Sequence, residues 1–370
     1  MRVLYVTTVG ITMRFFDAFI RQLLNEGHTV DIATNEQEFH VPECYREWGC
    51  KIYPITTSRS PLNKGNLSAI KQIKQLVSEN GYDIVHCHTP MAGVCTRLAC
   101  RKFRKQGGKV FYTAHGFHFY KGAPIKNWLL YYPAEKLCSY FTDVLITINQ
   151  EDFALAQKKM KAKCVKYVPG VGIDVEKYRQ PTVDKQAKRK ELAIPEDAFV
   201  LLSVGELNEN KNHETVIRAI ADLDVYYIIV GTGNLNLHLQ NLIDNLGISN
   251  RVKLLGYHDD VKDLYGAADA FVFPSFREGL SVSLMEAMAS GLPCIVSNIR
   301  GNVDLIHNGA NGFLCDPFDA SSFEVCIDSI NKDELLLEKL SERNKEIIQK
   351  FDFMTVAHAL REIYKGIMPE

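Results

Sequence analysis

Short apolar runs alternate with stretches of helical periodicity from one end of this chain to the other, and the same plan is laid down twice. In the first half the strand candidates are Val3 to Thr7, Thr29 to Ala33, Asp83 to Cys87, Lys109 to Thr113 and Val144 to Ile148. Between the first two, Phe15, Phe16, Phe19, Ile20, Leu23 and Leu24 recur at helical spacing until Gly27, which makes one βαβ unit. The second half repeats the pattern with Phe199 to Val204, Val225 to Val230, Val252 to Leu255, Ala270 to Phe273 and Cys294 to Ser297. These runs are apolar throughout, as a sheet covered on both faces by helices requires. The pattern predicts an α/β chain with two Rossmann-like domains built on parallel sheets. With 370 residues there is length for two domains of ordinary size.

The boundary is expected near 169–195, giving an N-terminal domain over 1–170 and a C-terminal domain over 171–350. Gly170 and Gly172 break the pattern there, and Gln180 to Glu191 reads as a linker or a surface helix. Beyond 350, Val356, Leu360, Ile363, Tyr364 and Ile367 form an amphipathic stripe. A helix over 351–370 can cap the second domain, but the expected arrangement is that it crosses back to pack on the first.

Composition narrows the classes. Apolar residues make up 46% and charged residues 24%, which are globular values and exclude a disordered chain. No run approaches the ~20 apolar residues of a membrane span, and Met1-Arg2-Val3-Leu4-Tyr5-Val6 reads as a strand, so no secretory leader is expected. A cytoplasmic location is expected. The ten cysteines include no C-x-x-C pair and sit mostly in apolar runs, the pattern of reduced, buried thiols.

A net charge of −1 hides an asymmetry: residues 1–180 carry 25 Lys and Arg against 15 Asp and Glu, and the remainder is acidic. Arg97, Arg101, Lys102, Arg104, Lys105 and Lys109 form a basic cluster, either a solvated face or a contact with anionic lipid headgroups. Nearby Trp128-Leu129-Leu130-Tyr131-Tyr132 is either a core helix or an interfacial segment. Nucleic acid is a poor partner, because no aromatic stacking platform interleaves the basic residues.

The segment richest in chemistry is Glu278-Gly279-Leu280-Ser281-Val282-Ser283-Leu284-Met285-Glu286, which follows the apolar run Ala270 to Phe273 and opens a helix. A helix N-terminus presents unpaired amides and the positive end of the dipole, so the amides near Ser281, Val282 and Ser283 form an anion site. Two carboxylates flanking an anion site are repulsive unless they serve another part of the same ligand. Sugar hydroxyls satisfy them, which points to a nucleotide sugar.

This segment resembles the E-x7-E signature of the retaining family 4 glycosyltransferases of GT-B architecture, in which two Rossmann-like domains face each other across a cleft. Three further segments resemble the same family in order along the chain: Thr113-Ala114-His115-Gly116, Val168-Pro169-Gly170-Val171-Gly172-Ile173-Asp174, and Val204-Gly205-Glu206-Leu207-Asn208-Glu209-Asn210-Lys211-Asn212. The longer run from Thr113 to Pro124 is similar to bacterial glycosyltransferases of capsule and exopolysaccharide assembly. The resemblance implies a metal-independent hexosyltransferase. It would move a hexose or N-acetylhexosamine from a UDP-sugar, with retention, to a lipid-linked saccharide on the inner face of the plasma membrane, as a peripheral protein.

By the same resemblance Lys211 and Gly205 meet the diphosphate, Glu286 the ribose and Glu278 the transferred sugar, with Gly279, Leu280 and the Ser281 to Ser283 amides beside them. His115 approaches the transferred sugar, and Gly10 lies near donor and acceptor. His115, Lys211 and Glu278 are the catalytic candidates, Tyr257 can border the base, and no cofactor is implied. The family usually has arginine after the first glycine of its nucleotide domain, where this chain has Glu206; Lys211 and the helix amides must then neutralise more of the leaving group.

Other motifs lead elsewhere. His86-Cys87-His88 places two imidazoles on one strand face but lacks further ligands at zinc spacing. Asp222-Leu223-Asp224 precedes a strand as a helix-end turn, and Gly231-Thr232-Gly233 lacks the third glycine of a dinucleotide fingerprint. Two rival functions remain: a sugar-nucleotide epimerase of the same fold, whose product would keep its nucleotide, and a non-catalytic nucleotide-sugar-binding subunit.

Overall fold

The computed structural model describes residues 1–259 and 261–367. The chain divides into two compact units, Met1–Gly172 together with the chain from Phe353 on, and Ile173–Asp352.

The first unit is built on seven parallel strands: β1 (Arg2–Val9), β2 (Thr29–Asn35), β3 (Ile52–Pro54), β4 (Ile84–His88), β5 (Lys109–Ala114), β6 (Val144–Thr147) and β7 (Cys164–Tyr167). Their order is β3-β2-β1-β4-β5-β6-β7. In β1, Val3 and Tyr5 enter one core with Phe19, Ile84 and Phe111, while Leu4 and Val6 enter another with Val85, Tyr112 and Leu145. Helices cover both faces, so the strand has no polar side to alternate with. The final helix, Phe353–Lys365, brings Val356, Ala357 and Tyr364 into the first of these cores.

The second unit holds six parallel strands: β8 (Val200–Val204), β9 (Tyr226–Val230), β10 (Val252–Gly256), β11 (Ala270–Phe273), β12 (Cys294–Ser297) and β13 (Gly312–Cys315). Their order is β10-β9-β8-β11-β12-β13. In both sheets the order reverses once, between β1 and β4 in the first and between β8 and β11 in the second. Outside the carboxyl ends of such a strand pair, neighbouring connections run in opposite directions and leave a crevice for ligands.

The structure departs from the sequence expectations in four places. The helix expected to contain Phe15 instead begins at Asp17, after a 3-10 turn over Gly10–Phe15, and Phe15 is 46% exposed. Of the two readings of the stretch from Gln180 the helix holds, over Lys185–Glu191, but it does not lie free on the surface: it buries Arg189, which donates to Asp269 at 2.6 Å. The basic cluster is not a uniform solvated face. Arg97 is fully buried, paired with Glu135 and stacked 3.9 Å from the centre of the Tyr112 ring, and Arg104 bridges Asp143 at 2.7 Å. The segment Trp128 to Tyr132 is divided, with Trp128 and Tyr132 packed on the core and Leu129 and Leu130 exposed.

All ten cysteines are free thiols, among which Cys315 and Cys326 approach to 3.7 Å. Among the described residues no helix is long and apolar enough to cross a membrane.

Candidate functional site

At the switch point of the second sheet, the loop after β8 and the loop after β11 are fastened together. Phe276 donates its amide to the Asn210 carbonyl at 2.8 Å, and the Asn210 side chain returns a bond to the Arg277 carbonyl at 3.0 Å. Asn212, in the left-handed region at φ 53°, donates to the Pro274 carbonyl at 3.0 Å. This lacing brings the Lys211 ammonium to 2.8 Å from Glu278 Oε1 and 4.6 Å from the centre of the Phe273 ring. Gly205 is where Lys211 lies down: a Cβ there would stand 3.2 Å from the lysine side chain.

Two further glycines are fixed by close backbone approach. A Cβ on Gly231, at φ +145°, would meet the Gly205 carbonyl at 2.0 Å, and one on Gly301, at φ +81°, would meet the Gly279 carbonyl at 2.2 Å. Gly231 therefore shapes the loop after β8 by letting the Gly205 backbone pass close to it. Arg300, just before Gly301, donates from Nε to the Glu278 carbonyl at 3.1 Å. No sequence motif marks Arg300; the signal available was an arginine three residues beyond the end of β12, immediately before Gly301.

The helix Val282–Ala289 begins within the Glu278–Glu286 segment and carries Glu286 in its second turn. Ser281 caps it, accepting from the Leu284 amide at 3.3 Å and sitting 3.0 Å from the Ser283 hydroxyl. The amides of Val282 and Ser283 find no partner among the described residues. Leu280 is buried beneath this turn. One turn on, Glu286 accepts the Tyr178 hydroxyl on Oε1 at 2.6 Å and the Tyr265 hydroxyl on Oε2 at 3.0 Å. Burial raises its pKa, while the two tyrosine bonds work in the opposite direction. Tyr178 and Tyr265 were not anticipated from sequence: Tyr178 lies four residues beyond the Val168–Asp174 segment and Tyr265 is outside every motif, so only packing brings them to Glu286. The structure thus brings together Gly205, Lys211, Glu278, Gly279, Leu280, Ser281, Val282, Ser283 and Glu286. Tyr257 stands 69% exposed with its hydroxyl on Asp259 at 2.8 Å.

The switch point of the first sheet is of another kind. His86 and His88 point from β4 to one face, as their spacing requires. His86 is held by the Tyr364 hydroxyl at 2.7 Å and the Thr113 hydroxyl at 2.8 Å, and His88 Nδ1 lies 3.2 Å from His115 Nε2. Burial pushes the pKa of His86 down to about 3, that of His115 down to about 4, and that of His88 well below the ordinary value, so the cluster is neutral.

The tautomers follow from one buried atom. His88 Nε2 is buried with no hydrogen-bond partner. An orphaned N–H is the costlier choice there, so a bare lone pair is preferred and the proton sits on Nδ1. His88 then donates to His115 Nε2, which leaves the His115 proton on Nδ1, where it meets no acceptor among the described residues.

Beside this pair, Thr89 adopts φ 66° and ψ 149°, a strained conformation for a β-branched residue. Its hydroxyl is 2.6 Å from that of Thr8, the residue ending the buried part of β1, and Thr8 in turn accepts the Ala92 amide at 3.3 Å. Gly10 has a packing reason of its own: a Cβ would strike the Phe39 carbonyl at 2.4 Å. His88, Thr8 and Thr89 were not anticipated as a unit, although a threonine before Pro90 is a position where proline restricts the backbone.

Two family models match the chain. That described as glycosyl transferases group 1 matches residues 184–347, and that described as glycosyl transferase 4-like matches residues 2–149. The chain is 35% identical to the putative glycosyltransferase EpsD of Bacillus subtilis (strain 168), with 99% of this chain and 97% of that protein covered. It is 31% identical to the UDP-Gal:alpha-D-GlcNAc-diphosphoundecaprenol alpha-1,3-galactosyltransferase of Escherichia coli, with 81% of each covered. Among solved structures, Anabaena Alr3699/HepE in complex with UDP-glucose is similar in fold, with a TM-score of 0.81 at 22% identity over 99% of this chain and 100% of that one.

Proposed function

Because the chain belongs to the GT-B glycosyltransferases of the group 1 and 4-like families, we propose that it transfers a hexose or N-acetylhexosamine from a UDP-sugar, with retention, to a lipid-linked saccharide in capsule or exopolysaccharide synthesis. Its place of work is the inner face of the plasma membrane. The observation carrying this reading is the Lys211–Glu278 pair at 2.8 Å in the loops that also hold the Val282 and Ser283 amides. In a sugar nucleotide the phosphate and the sugar are joined by the bond to be broken. A cation and a carboxylate in contact match the two sides of that bond: Lys211 takes the diphosphate and Glu278 a sugar hydroxyl.

Glu286 takes the ribose. Each of its oxygens accepts one tyrosine bond, and a carboxylate offers about four lone-pair sites, so acceptor capacity remains for ribose hydroxyls. Tyr178 and Tyr265 are positioning residues that fix the carboxylate's orientation. Arg300 and Gly301 position Glu278 through its backbone. UDP as the nucleotide and a lipid-linked acceptor are supported by the similarity to the E. coli UDP-Gal:alpha-D-GlcNAc-diphosphoundecaprenol alpha-1,3-galactosyltransferase, and UDP also by the similarity to HepE, solved with UDP-glucose.

In the reaction, the bond from the anomeric carbon to the β-phosphate oxygen breaks and its electron pair leaves with UDP. The acceptor hydroxyl attacks the oxocarbenium-like carbon from the same face, and its proton passes to the departing phosphate oxygen. Lys211 and the helix amides stabilise charge that grows only as the bond breaks. The neutral His115, with its proton on Nδ1, donates to a sugar hydroxyl. Gly10 is proposed to let substrate approach the same edge of the first sheet. Tyr257 is proposed to border the base.

The test is a screen for UDP release from nucleotide sugars, with and without a lipid-linked saccharide, with the product's anomeric configuration read by NMR. Acceptor-dependent release and an α-linked product are expected. A product sugar still carrying its nucleotide would identify an epimerase. An inactive chain that binds UDP-sugar would identify a binding subunit.

A further inference from the structure

The Cys315 S–H lies 3.7 Å from the Cys326 sulfur, with the Ser322 carbonyl as a second acceptor at 3.5 Å. Among the described residues no other two thiols are hydrogen-bonded to each other. Cys315 ends the edge strand β13 and is buried, whereas Cys326 stands in the helix Ala320–Lys332 and is half-buried. That helix is anchored: Phe323, Ile327 and Ile330 enter the core, and Asp319 caps it by accepting the Ser321 amide at 3.0 Å. Cys326 packs at the edge of this anchored face, so a small solute can reach its sulfur.

The pair has a chemistry that neither sulfur has alone. The bond from Cys315 lowers the pKa of Cys326, the acceptor, and raises that of Cys315, the donor, with burial adding to the latter. The thiolate is the reactive form in thiol oxidation, so the more accessible sulfur is also the one disposed to react first, and the other waits within reach of the product. Two sulfurs are too few for a structural zinc centre, and among the described residues no group of three or more His, Cys, Asp or Glu side chains could hold a metal ion.

What the pair controls follows from the segment that joins it. The Pro317 carbonyl accepts the Asn212 side chain at 2.8 Å and the Thr215 hydroxyl at 3.4 Å, and the Phe318 ring stacks 4.9 Å from that of Phe276. The Cys315 carbonyl itself accepts the Asn298 amide at 2.7 Å, two residues before Arg300. Asn212 adjoins Lys211, and Phe276 lies two residues before Glu278. Both loops that carry the Lys211–Glu278 pair therefore lean on the short segment that starts at Cys315.

We infer that Cys315 and Cys326 form a modification site, oxidised by peroxide to a disulfide that loosens the donor loops of the second unit. In the first step the Cys326 thiolate attacks one peroxide oxygen, the O–O bond breaks, and the departing hydroxide is protonated to water, leaving a sulfenic acid. The Cys315 sulfur then attacks the Cys326 sulfur, the S–O bond breaks, and the second hydroxide leaves as water with the Cys315 proton. Two thiols have lost two electrons and one peroxide has gained them. Closing from 3.7 Å to the S–S bond of about 2.05 Å draws strand end and helix together. The helix is held by its core residues, whereas β13 is paired on one side only, so the strand end and the Pro317 segment move. Asn212 then parts from the Pro317 carbonyl, and Lys211 beside it is displaced. The coupling to the nucleotide rests on the donor reading given above; the thiol chemistry does not.

The test is treatment of the full chain with hydrogen peroxide, followed by peptide mass spectrometry without reductant after cleavage at Glu324, and by calorimetric titration of UDP before and after dithiothreitol. Peptides joined through Cys315 and Cys326, two hydrogens lighter than the reduced pair, are expected. UDP affinity should be about tenfold weaker in the oxidised chain, the scale of a lost charge-assisted contact, and should return with dithiothreitol. Cys326→Ser should bind UDP like the reduced wild type and keep that affinity through peroxide; the wild-type comparison across dithiothreitol needs no variant. The inference is overturned if the joined peptides do not form, if they form while UDP affinity stays the same, or if peroxide weakens UDP binding equally in Cys326→Ser. A chain that forms the disulfide but binds no UDP even when reduced would leave the modification site standing and remove the nucleotide-sugar reading.

Discussion

The two sheets place their chemistry at the same topological point and give it opposite character. Between β1 and β4 the groups are imidazoles that burial keeps neutral, His88 and His115, and the hydroxyls of Thr8 and Thr89. Between β8 and β11 they are charged and paired, as Lys211 with Glu278, or hydrogen-bonded by tyrosines, as Glu286. Strand order fixes where a ligand can sit, and the side chains added there decide which part of it. Neutral donors suit hydroxyl-rich sugars, whereas a diphosphate needs charge and helix amides.

Acid should widen this contrast most. The neutral forms of His86, His88 and His115 are favoured in the fold, so their contribution is complete above the ordinary histidine pKa of about 6.5 and is lost as pH falls toward about 4. In that window the unfolded chain binds more protons, which costs on the order of 1 kcal/mol per pH unit for each group. The second unit has one comparable group, His213, lowered to about 4. Both tryptophans, Trp48 and Trp128, lie in the first unit. On going from pH 7 to pH 5, the urea midpoint seen by tryptophan fluorescence should fall further than that seen by far-ultraviolet circular dichroism. Equal shifts by both probes would break the contrast.

Removing the charge of the second site comes next in size. Lys211→Ala should lower kcat/KM for the UDP-sugar by about 1.5–3 kcal/mol, roughly one to two orders of magnitude, because a charge-assisted bond to the departing diphosphate is lost. Near-normal kcat/KM would remove the assignment.

A smaller effect should separate the two carboxylates in kind. Glu286→Gln should weaken binding of UDP itself by about 1 kcal/mol or more, and Glu278→Gln should spare UDP affinity while turnover falls. Calorimetry with UDP and initial rates with the sugar nucleotide distinguish the two, and unchanged UDP affinity in the Glu286 variant would contradict the ribose role. The smallest expected effect is none: EDTA should leave turnover unchanged, because His86 is held by Tyr364 and Thr113 and His88 by His115. Activity lost in chelator and restored by a divalent ion would overturn a metal-free reaction.

What was legible in the sequence follows the same physics. The covered strands β1, β4, β5, β8, β9, β11 and β12 announced themselves as apolar runs, because both faces are buried. Three strands, β3, β7 and β13, were not anticipated, and each is a sheet edge. Edge strands are short and half-covered, so Ile52-Tyr53-Pro54 and Cys164-Val165-Lys166-Tyr167 carry little periodic signal. In the site, residues within one segment, such as Glu278 to Glu286, were readable from spacing. Tyr178, Tyr265 and Arg300 reach the same loops from elsewhere in the chain, and only tertiary packing shows it. The split of Trp128 to Tyr132 between core and solvent was equally invisible, because both faces of its helix are apolar.

The most direct test of the division between the two sites is titration of UDP into the wild type, Lys211→Ala and His115→Ala by calorimetry. Affinity about tenfold weaker or more in Lys211→Ala and unchanged in His115→Ala is expected, since a charge-assisted diphosphate contact is lost only in the former. Weakened UDP binding in His115→Ala, with Lys211→Ala unaffected, would contradict the account.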